Sequence, residues 1–196
     1  RYLITGGAGS LGKAITKMLL KRNAEVGIYS RDEGKHALNY GKEVEKFIGD
    51  VRDFSRFEKV VRCFKPQRII HAAALKRIDD LELHPEEAYK TNVLGSENVA
   101  RVVVENDVSR AILVSTDKAC RPVNVYGASK FIAERTFTNW NYTSNKSGQK
   151  SVLSSVRYGN VIASRGSFIP MWMDDIRNGR PIAITSKECT RFLFTL

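Results

Sequence analysis

The chain has 196 residues, of which 42% are hydrophobic, so it is long enough for one domain with a sizeable core and too apolar to be disordered. Its net charge of +11 fits a solvated basic surface or a polyanionic ligand, but the 32 Lys and Arg residues are spread out without interleaved aromatics, which argues against nucleic acid. No apolar run approaches the roughly 18 residues that a membrane helix needs, and no signal peptide is visible.

Short apolar runs alternate with longer amphipathic ones from the start of the chain. Strands are predicted at 2–5, 25–30, 45–50, 68–73, 110–115 and 151–158. Helices are predicted at 11–22, 54–64, 86–106 and 124–141. The alternation indicates βαβ units, and therefore an α/β fold with a Rossmann-like, doubly wound parallel sheet flanked by helices. Ligands of such sheets bind at the carboxyl ends of the strands.

The pattern changes near residue 160. A helix near 170–178 and a short strand at 182–185 are predicted there, separated by Gly and Pro. Residues 1–160 are therefore predicted to form a nucleotide-binding domain, and residues 161–196 the start of a smaller, substrate-binding domain. Because the chain begins without Met inside an apolar run, we expect it to be a fragment.

The first predicted strand runs into a helix through the sequence YLITGGAGSLGKAI. Its Gly-x-Gly-x-x-Gly spacing is the fingerprint of a dinucleotide site, because glycines let the backbone turn tightly and approach a pyrophosphate. The N–H groups at the start of the helix add a partial positive charge. The residues predicted to contact the cofactor here are Gly6, Gly7, Gly9, Ser10, Leu11 and Gly12.

The ends of the next two strands indicate which dinucleotide binds. NAD sites commonly carry an acidic residue at the end of the second strand, but this chain has Ser30 and Arg31, and a guanidinium suits a 2′-phosphate. We therefore predict NADP rather than NAD, although Asp32 follows directly. Asp50 and Val51, at the end of the third strand, are predicted to border the adenine; the alternative for Asp50 is a loop cap.

The fourth predicted strand ends in the sequence HAAA. The small side chains of Ala72, Ala73 and Ala74 leave room for the cofactor beside the sheet, whereas His71 is interpreted as a hydrogen-bonded core histidine. We therefore place the alanines, and not the imidazole, in the predicted cofactor site.

The segment STDKACRPVNVYGASK follows the fifth strand and concentrates several chemically active groups. Tyr126 and Lys130 lie one helical turn apart on one face. A nearby ammonium and a cationic nicotinamide favour the phenolate, so Tyr126 can take a proton from a substrate hydroxyl as hydride leaves the same carbon. Asp117 and Lys118 add an acid–base pair that a simple reductase does not need; the alternative is a surface ion pair.

Together these motifs resemble the extended short-chain dehydrogenase/reductase superfamily, with its TGGxGxxG, Ser/Thr and YxxxK motifs. Longer stretches, HAAALK, KTNVLGSENV, SVRYGNVIASRGSFIP and TRFLFTL, make the chain similar to UDP-N-acetylglucosamine 4,6-dehydratases of the polysaccharide biosynthesis protein family. Within that group, the chain resembles the C5-inverting enzymes of the pseudaminic acid pathway, because Tyr126 is present where retaining relatives often carry Met.

The resemblance implies a mechanism for 4,6-dehydration of a UDP-N-acetylhexosamine. Tyr126, assisted by Lys130, deprotonates the C4 hydroxyl as hydride passes from C4 to NADP⁺. Lys118 removes the C5 proton as a neutral amine, and Asp117 protonates the departing C6 hydroxyl. Hydride then returns to C6, and reprotonation of C5 from the opposite face gives the inverted 4-keto-6-deoxy sugar. Thr116 hydrogen-bonds the substrate near C4.

The resemblance also implies cofactor and substrate contacts elsewhere in the chain. Lys76 lies between cofactor and substrate, with a solvated loop lysine as the alternative. Asn160 and Val161 begin the segment that grips the nucleotide sugar. Arg165 pairs with the diphosphate, and Thr185 lies near the uridine.

Three other functions are kept as alternatives: a retaining UDP-sugar 4,6-dehydratase, a UDP-sugar 4-epimerase and a catalytically silent NADP-binding module. The resemblance implies a homo-oligomer, either a dimer or a hexamer. Cys63, Cys120 and Cys189 show no metal-ligand spacing, so we expect no metal and a reducing, cytoplasmic environment.

Overall fold

The computed structural model describes residues 1–146, 148, 150–162, 167–184, 186–188 and 190–195. The chain divides into two compact units, Arg1–Arg157 and Tyr158–Leu196. Each unit has its own strands and helices.

Strands and helices alternate throughout the first unit. Its strands are β1 Tyr2–Thr5, β2 Val26–Ser30, β3 Glu45–Ile48, β4 Arg68–His71, β5 Arg110–Val114 and β6 Val152–Val156. Its helices are α1 Ser10–Leu20, α2 Glu33–Asn39, α3 Phe54–Phe64, α4 Ile78–Leu83, α5 Pro85–Ala88, α6 Gly95–Glu105 and α7 Val125–Lys146. A π-helical stretch, Tyr89–Leu94, joins α5 to α6, and a 3₁₀ turn, Asp117–Ala119, follows β5.

The six strands form one parallel sheet in the order β3-β2-β1-β4-β5-β6. The order reverses direction between β1 and β4, so the connections on either side of that point run to opposite edges. The predicted Rossmann-like, doubly wound parallel sheet is therefore confirmed. Its ligand crevice is expected at the carboxyl ends of β1 and β4, where the order reverses.

Both faces of the sheet are covered by helices. Leu3 packs into a core cluster with residues of α3, α6 and α7, whereas its neighbour Ile4 packs into a second cluster with Leu19 of α1. Tyr29 and Ile28 of β2 divide between the same two clusters. Because successive side chains of a strand point to opposite faces, β1 and β2 are buried on both sides of the sheet.

The predicted and observed elements differ in several places. The strands agree to within two residues at each end, but the sequence pattern does not predict α2 or α4. The predicted helix at 86–106 is helical from Pro85 to Glu105, but a π-helical stretch interrupts it. The predicted strand at 182–185 is wrong for 182–184, which form no strand, because the strand pairing of that unit occurs elsewhere.

The second unit contains β7 Asn160–Val161, α8 Phe168–Arg177 and β8 Leu193–Phe194. β7 and β8 pair in parallel. A Cβ on Gly159 would lie 2.4 Å from the Phe192 carbonyl oxygen, so only glycine allows the two segments to approach this closely. The assignment of this unit to substrate binding stays a prediction.

Candidate active site

The glycine-rich turn after β1 is in backbone contact with two neighbouring segments. Gly6 has a φ of +69°, which L side chains rarely adopt, and a Cβ there would lie 2.7 Å from the Ala73 nitrogen and 2.8 Å from the Ala72 carbonyl oxygen. A Cβ on Gly12 would lie 2.6 Å from the Gly6 carbonyl oxygen. The turn, the start of α1 and the loop after β4 therefore meet at a point where side chains do not fit.

The start of α1 offers backbone N–H groups without a competing side chain. The Gly9 N–H donates to the Gly6 carbonyl oxygen at 2.9 Å, and Gly9 then serves as the N-cap. Ser10 and Leu11 open the helix, whose first turn carries no acidic residue. Gly7 lies against Ile28, where a Cβ would come within 2.5 Å of that side chain. An open helix start beside a side-chain-free turn fits the pyrophosphate of a dinucleotide.

The end of β2 carries the residues predicted to select the cofactor. Ser30 Oγ lies 2.5 Å from His36 Nε2, and Arg31 Nη1 lies 3.5 Å from Asp50 Oδ2. Asp32 caps α2 by accepting the Lys35 N–H at 3.0 Å. The Arg31 side chain is 55% exposed, which leaves its guanidinium accessible to a ligand phosphate. These residues fit the ribose of a dinucleotide and do not distinguish NADP from NAD.

Asp50 acts as a cap for the turn that follows β3. It accepts the Arg52 N–H at 3.0 Å and the Arg52 Nε–H at 2.9 Å. Burial would raise the pKa of Asp50, but these hydrogen bonds and the charges of Arg52 and Arg31 outweigh it and lower the pKa. Its neighbour Val51 is only 4% exposed and packs in the core. The loop-cap alternative is confirmed for Asp50, whereas adenine contacts by Asp50 and Val51 stay a prediction.

His71 is fully buried at the end of β4. Its Nδ1 lies 2.6 Å from Thr5 Oγ1, its Nε2 lies 3.0 Å from Ser96 Oγ, and its ring stacks on Phe137. Burial, together with the charge of Lys130, lowers the pKa of His71 to about 3, so the imidazole is neutral. The interpretation of His71 as a hydrogen-bonded core histidine is confirmed.

The 3₁₀ turn after β5 holds the predicted acid–base pair together. Lys118 Nζ donates to Asp117 Oδ1 at 3.0 Å, and Thr116 Oγ1 donates to the same oxygen at 3.0 Å. Burial alone would raise the pKa of Asp117, but the hydrogen bonds from Lys118 and Thr116 outweigh it and lower the pKa. Asp117 is therefore a carboxylate at neutral pH, and a proton must reach it before it can act as the predicted acid.

Tyr126 lies in the first turn of α7, directly beside this pair in the fold. A Cβ on the adjacent Gly127 would lie 2.3 Å from the Lys118 carbonyl oxygen, so the helix and the 3₁₀ turn are in backbone contact. Ser129 Oγ donates to the Tyr126 carbonyl oxygen at 2.8 Å. The phenol-bearing turn of α7 and the Asp117–Lys118 pair therefore sit on two segments that touch.

Lys130 lies one helical turn after Tyr126 and is only 2% exposed. Burial lowers the pKa of Lys130 to about 8, while the Glu134 carboxylate acts in the opposite direction. A buried ammonium at this spacing fits the predicted role of Lys130 as the partner of the phenolate.

The remaining predicted contacts are Lys76 and four residues of the second unit. Lys76 stands on the loop after β4 and is exposed as a residue, while desolvation of its ammonium group lowers its pKa. Asn160 and Val161 form β7 of the second unit. Arg165 and Thr185 lie outside the described residues. The roles of all five in binding stay predictions.

The sequence motifs do not indicate a role for Asn92, which lies on the π-helical stretch and is fully buried. Its Oδ1 accepts the Leu75 N–H at 2.8 Å, and its Nδ2 donates to the Leu75 carbonyl oxygen at 2.9 Å and to Ser129 Oγ at 3.0 Å. Asn92 thus ties the loop after β4 to the helix of Tyr126. An amide among the buried positions of KTNVLG is the one signal that could have identified it.

In the described part of the chain, no group of three or more His, Cys, Asp or Glu side chains is placed to hold a metal ion. Cys63 and Cys120 carry free thiols. None of the helices in this part of the chain is long and apolar enough to cross a membrane.

The fold and site define an extended short-chain dehydrogenase/reductase. The chain superposes on Pen from Bacillus thuringiensis with a TM-score of 0.92 and 32% identity, covering 99% of this chain and 62% of that one. It superposes on a Thermus thermophilus UDP-glucose 4-epimerase in complex with NAD with a TM-score of 0.86 and 26% identity, covering 100% of this chain and 70% of that one.

The sequence assigns the chain to a particular family. Residues 2–196 match the family described as polysaccharide biosynthesis protein, and the chain belongs to that family. It is 40% identical to a protein of Rickettsia typhi named UDP-glucose 4-epimerase, over 99% of this chain and 58% of that protein. The chain thus spans about three fifths of the length of the curated relatives that it matches.

Proposed function

We propose that this protein is an NADP-dependent nucleotide-sugar 4,6-dehydratase that acts on UDP-N-acetylglucosamine with inversion at C5. The observation that carries the proposal is the Asp117–Lys118 pair, joined at 3.0 Å on a turn that touches the first turn of α7. Oxidation and reduction at one sugar carbon require only Tyr126 and Lys130. Loss of water across C5 and C6 requires a further base and a further acid, and this pair supplies both groups.

The carboxyl edge of the sheet fits the proposed cofactor. Gly6 and Gly12 have no room for a side chain, α1 begins without a side-chain cap, and Arg31 is available for a 2′-phosphate. When bound, the nicotinamide supplies the redox chemistry by accepting a hydride and returning it to the same sugar. The overall reaction therefore needs no external oxidant.

Tyr126 is the proposed base for the C4 hydroxyl. The charge of the Lys130 ammonium, one turn away, favours the phenolate that accepts this proton. Because the pKa of Lys130 is lowered only to about 8, most of its amine is protonated at neutral pH. Thr116, which hydrogen-bonds Asp117, is proposed to hydrogen-bond the sugar near C4.

Lys118 and Asp117 are the proposed base at C5 and acid at C6. In the ion pair the proton lies on the wrong partner for both steps, because Asp117 is a carboxylate. Transfer of one proton along the 3.0 Å hydrogen bond gives a neutral amine and a carboxylic acid, which are the two forms that the elimination needs. Exclusion of water by a bound sugar favours this transfer, since a low dielectric penalises separated charges.

A UDP-sugar 4-epimerase is the second candidate. It is favoured by the name of the Rickettsia typhi relative, which is 40% identical over 99% of this chain. An epimerase needs Tyr126 and Lys130, but it leaves the Asp117–Lys118 pair without a chemical role. The fate of the C5 proton separates the two candidates.

The test is incubation of the intact protein with UDP-N-acetylglucosamine and a catalytic amount of NADP⁺ in D₂O, followed by proton NMR. We expect a new 6-methyl signal, deuterium at C5 and couplings that show the inverted configuration. Lys118→Met should abolish the C5 exchange, because it removes the amine and keeps the length of the side chain. Lys59→Met, at an exposed position of α3, is the matched control and should exchange normally.

Other products would each overturn the proposal in a different way. Deuterium at C5 with retained configuration would indicate the retaining reaction. A change in C4 configuration, without a methyl signal or C5 deuterium, would establish the epimerase. Binding of NADP without turnover of any UDP-sugar would indicate a catalytically silent module.

The cofactor preference gives a separate prediction. Arg31→Ala should weaken NADPH binding by about tenfold and leave NADH binding nearly unchanged, because a charge-assisted hydrogen bond to phosphate contributes about 1.5 kcal/mol. Fluorescence titration of each cofactor measures this ratio. Arg22→Ala removes the same charge at an exposed position beyond the end of α1 and should leave both affinities unaltered. Equal weakening of NADPH and NADH by Arg31→Ala would contradict the proposed 2′-phosphate contact.

A further inference from the structure

A half-exposed ion pair, in which only Glu134 is buried, follows the Tyr126–Lys130 motif along α7. Glu134 is 8% exposed and is held by Arg157, the last residue of the first unit. Arg157 Nε donates to Glu134 Oε1 at 2.9 Å, and Arg157 Nη2 donates to Oε2 at 2.7 Å. This bidentate geometry leaves the Glu134 carboxylate little freedom to reorient.

The position of Glu134 on the helix connects the ion pair to the proposed site. Tyr126, Lys130 and Glu134 are successive i, i+4 neighbours, so they follow one another along one face of α7. Lys130 is 2% exposed, and an ammonium so deeply buried needs a nearby negative charge. Glu134, one helical turn after Lys130, is a carboxylate whose charge raises the pKa of Lys130.

Among the described residues, Glu134 is the one charged group whose effect on the pKa of Lys130 is resolved. His71 of β4, whose pKa is lowered by burial and by the charge of Lys130, is a neutral imidazole. The 3₁₀ turn packed against α7 carries Asp117, whose charge is matched by Lys118. Glu82 of α4 accepts the N–H of Val125 at the N-terminal end of α7, two turns before Glu134.

Arg157 moderates the charge that Glu134 presents to Lys130. Burial favours the protonated form of Glu134, but the hydrogen bonds and charge of Arg157 and the charge of Lys130 keep its pKa low, so Glu134 stays ionised. The Arg157 side chain is 44% exposed, so solvent screens part of its charge. The Glu134 side chain is only 10% exposed and is therefore shielded from solvent. Lys130 therefore experiences a carboxylate that is partly, but not fully, neutralised.

We propose that Glu134 and Arg157 are positioning residues that set the charge of Lys130 and, through it, the readiness of Tyr126 to accept a proton. Neither residue has to touch the sugar or the cofactor for this effect. The catalytic consequence rests on the proposed function, in which Lys130 assists Tyr126. The electrostatic effect on Lys130 does not depend on that function.

The test is a direct titration of the Lys130 amine by NMR in the intact protein labelled with ¹³C-lysine, without cofactor or substrate. The Lys130 signal is assigned as the one missing from Lys130→Met. Glu134→Gln should lower the midpoint by about one pH unit, because the ammonium loses its counter-charge. Arg157→Gln should raise the midpoint, because it leaves the Glu134 carboxylate un-neutralised. The double variant should lie between the two single variants.

Opposite shifts separate this proposal from a merely structural ion pair. If the pair only holds β6 to α7, both substitutions weaken the same contact and the two midpoints move together or stay in place. Either of those results overturns the proposal. Should Glu134→Gln fail to fold, the Arg157→Gln arm decides alone, because that side chain is partly solvent-exposed and its loss leaves no large cavity.

A second readout links the titration to catalysis. The alkaline limb of the kcat profile against pH should move down in Glu134→Gln and up in Arg157→Gln, following the charge of Lys130. If the midpoints shift as expected but the D₂O experiment shows no dehydration, the proposed function fails and the electrostatic effect on Lys130 stands. If dehydration occurs and the midpoints do not shift, this inference fails alone.

Discussion

Replacing Tyr126 by Phe should lower kcat about 10²–10⁴-fold, the usual contribution of a positioned proton-transfer group. The substitution removes one oxygen and keeps the ring. The first turn of α7 should keep its place, because Asn124 Oδ1 caps it through the Gly127 N–H at 2.7 Å and Ser129 holds the Tyr126 carbonyl oxygen. NADPH affinity and the free energy of unfolding should therefore change little.

Tyr142→Phe is the matched control for this experiment. Tyr142 lies on the same helix but is 66% exposed, so the loss of its hydroxyl should leave kcat at the wild-type value. The measurement is steady-state turnover of UDP-N-acetylglucosamine by both variants, with urea unfolding as a check of the fold. A Tyr126→Phe enzyme with nearly full activity would show that another group takes the C4 proton, and the proposed role of Tyr126 would have to be abandoned.

The parallel sheet could be predicted because its signals are local. Each strand is a short apolar run, and β1 leads directly into a glycine turn whose spacing is specific for a strand-to-helix connection. The predicted ends of the strands are less accurate, because Gly49, Ala72 and Ser115 continue the apolar or small-residue pattern but lie just past the last ladder pairs. These positions at the carboxyl edge are also the ones from which a ligand site is built.

The two helices that the sequence pattern does not predict, α2 and α4, are too short to show a helical repeat of apolar residues. α2 has seven residues and α4 has six, so each offers fewer than two turns of pattern. α2 depends on its cap, since Asp32 accepts the Lys35 N–H. The sequence pattern indicates Asp32 only as a possible ligand of the cofactor ribose. A polar residue at a strand end can cap a helix, bind a ribose or do both, and the sequence alone does not separate these roles.

The sequence motifs predict the candidate site, but its electrostatics depend on hydrogen bonds, some between adjacent residues and some between residues more than 20 positions apart. Asp117 is predicted to act as an acid, and the hydrogen bonds from Thr116 and Lys118 keep it ionised until it receives a proton. The Glu134–Arg157 pair joins residues 23 positions apart, which meet because β6 lies beside β5 and packs against α7. Such contacts follow from the assembled sheet, and no spacing rule in the sequence reports them.

Gly12→Ala should lower the free energy of unfolding by about 1–3 kcal/mol, the usual cost of forcing extra atoms into a packed site. A Cβ there would lie 2.6 Å from the Gly6 carbonyl oxygen and 2.6 Å from the Gly7 Cα. Both neighbours are backbone atoms and cannot rotate away as a side chain would. The start of α1 must therefore move off the glycine turn, and NADPH binding should weaken with it, because the phosphate-binding N–H groups are displaced.

Gly34→Ala makes the same change in a helix where space is available. The nearest atom to a Cβ on Gly34 is Asp32 Oδ1 at 3.6 Å, and the residue is exposed, so this variant should gain up to about 1 kcal/mol of stability from helix propensity. Urea unfolding of both variants measures this difference in sign, and NADPH titration of Gly12→Ala measures the displacement of α1. Loss of stability with unchanged NADPH affinity would assign Gly12 to packing alone. Loss of NADPH affinity at wild-type stability would instead mean that the turn relaxes without strain and that the close approach of the backbone serves cofactor binding. The two measurements therefore separate a packing role of Gly12 from a cofactor-binding role.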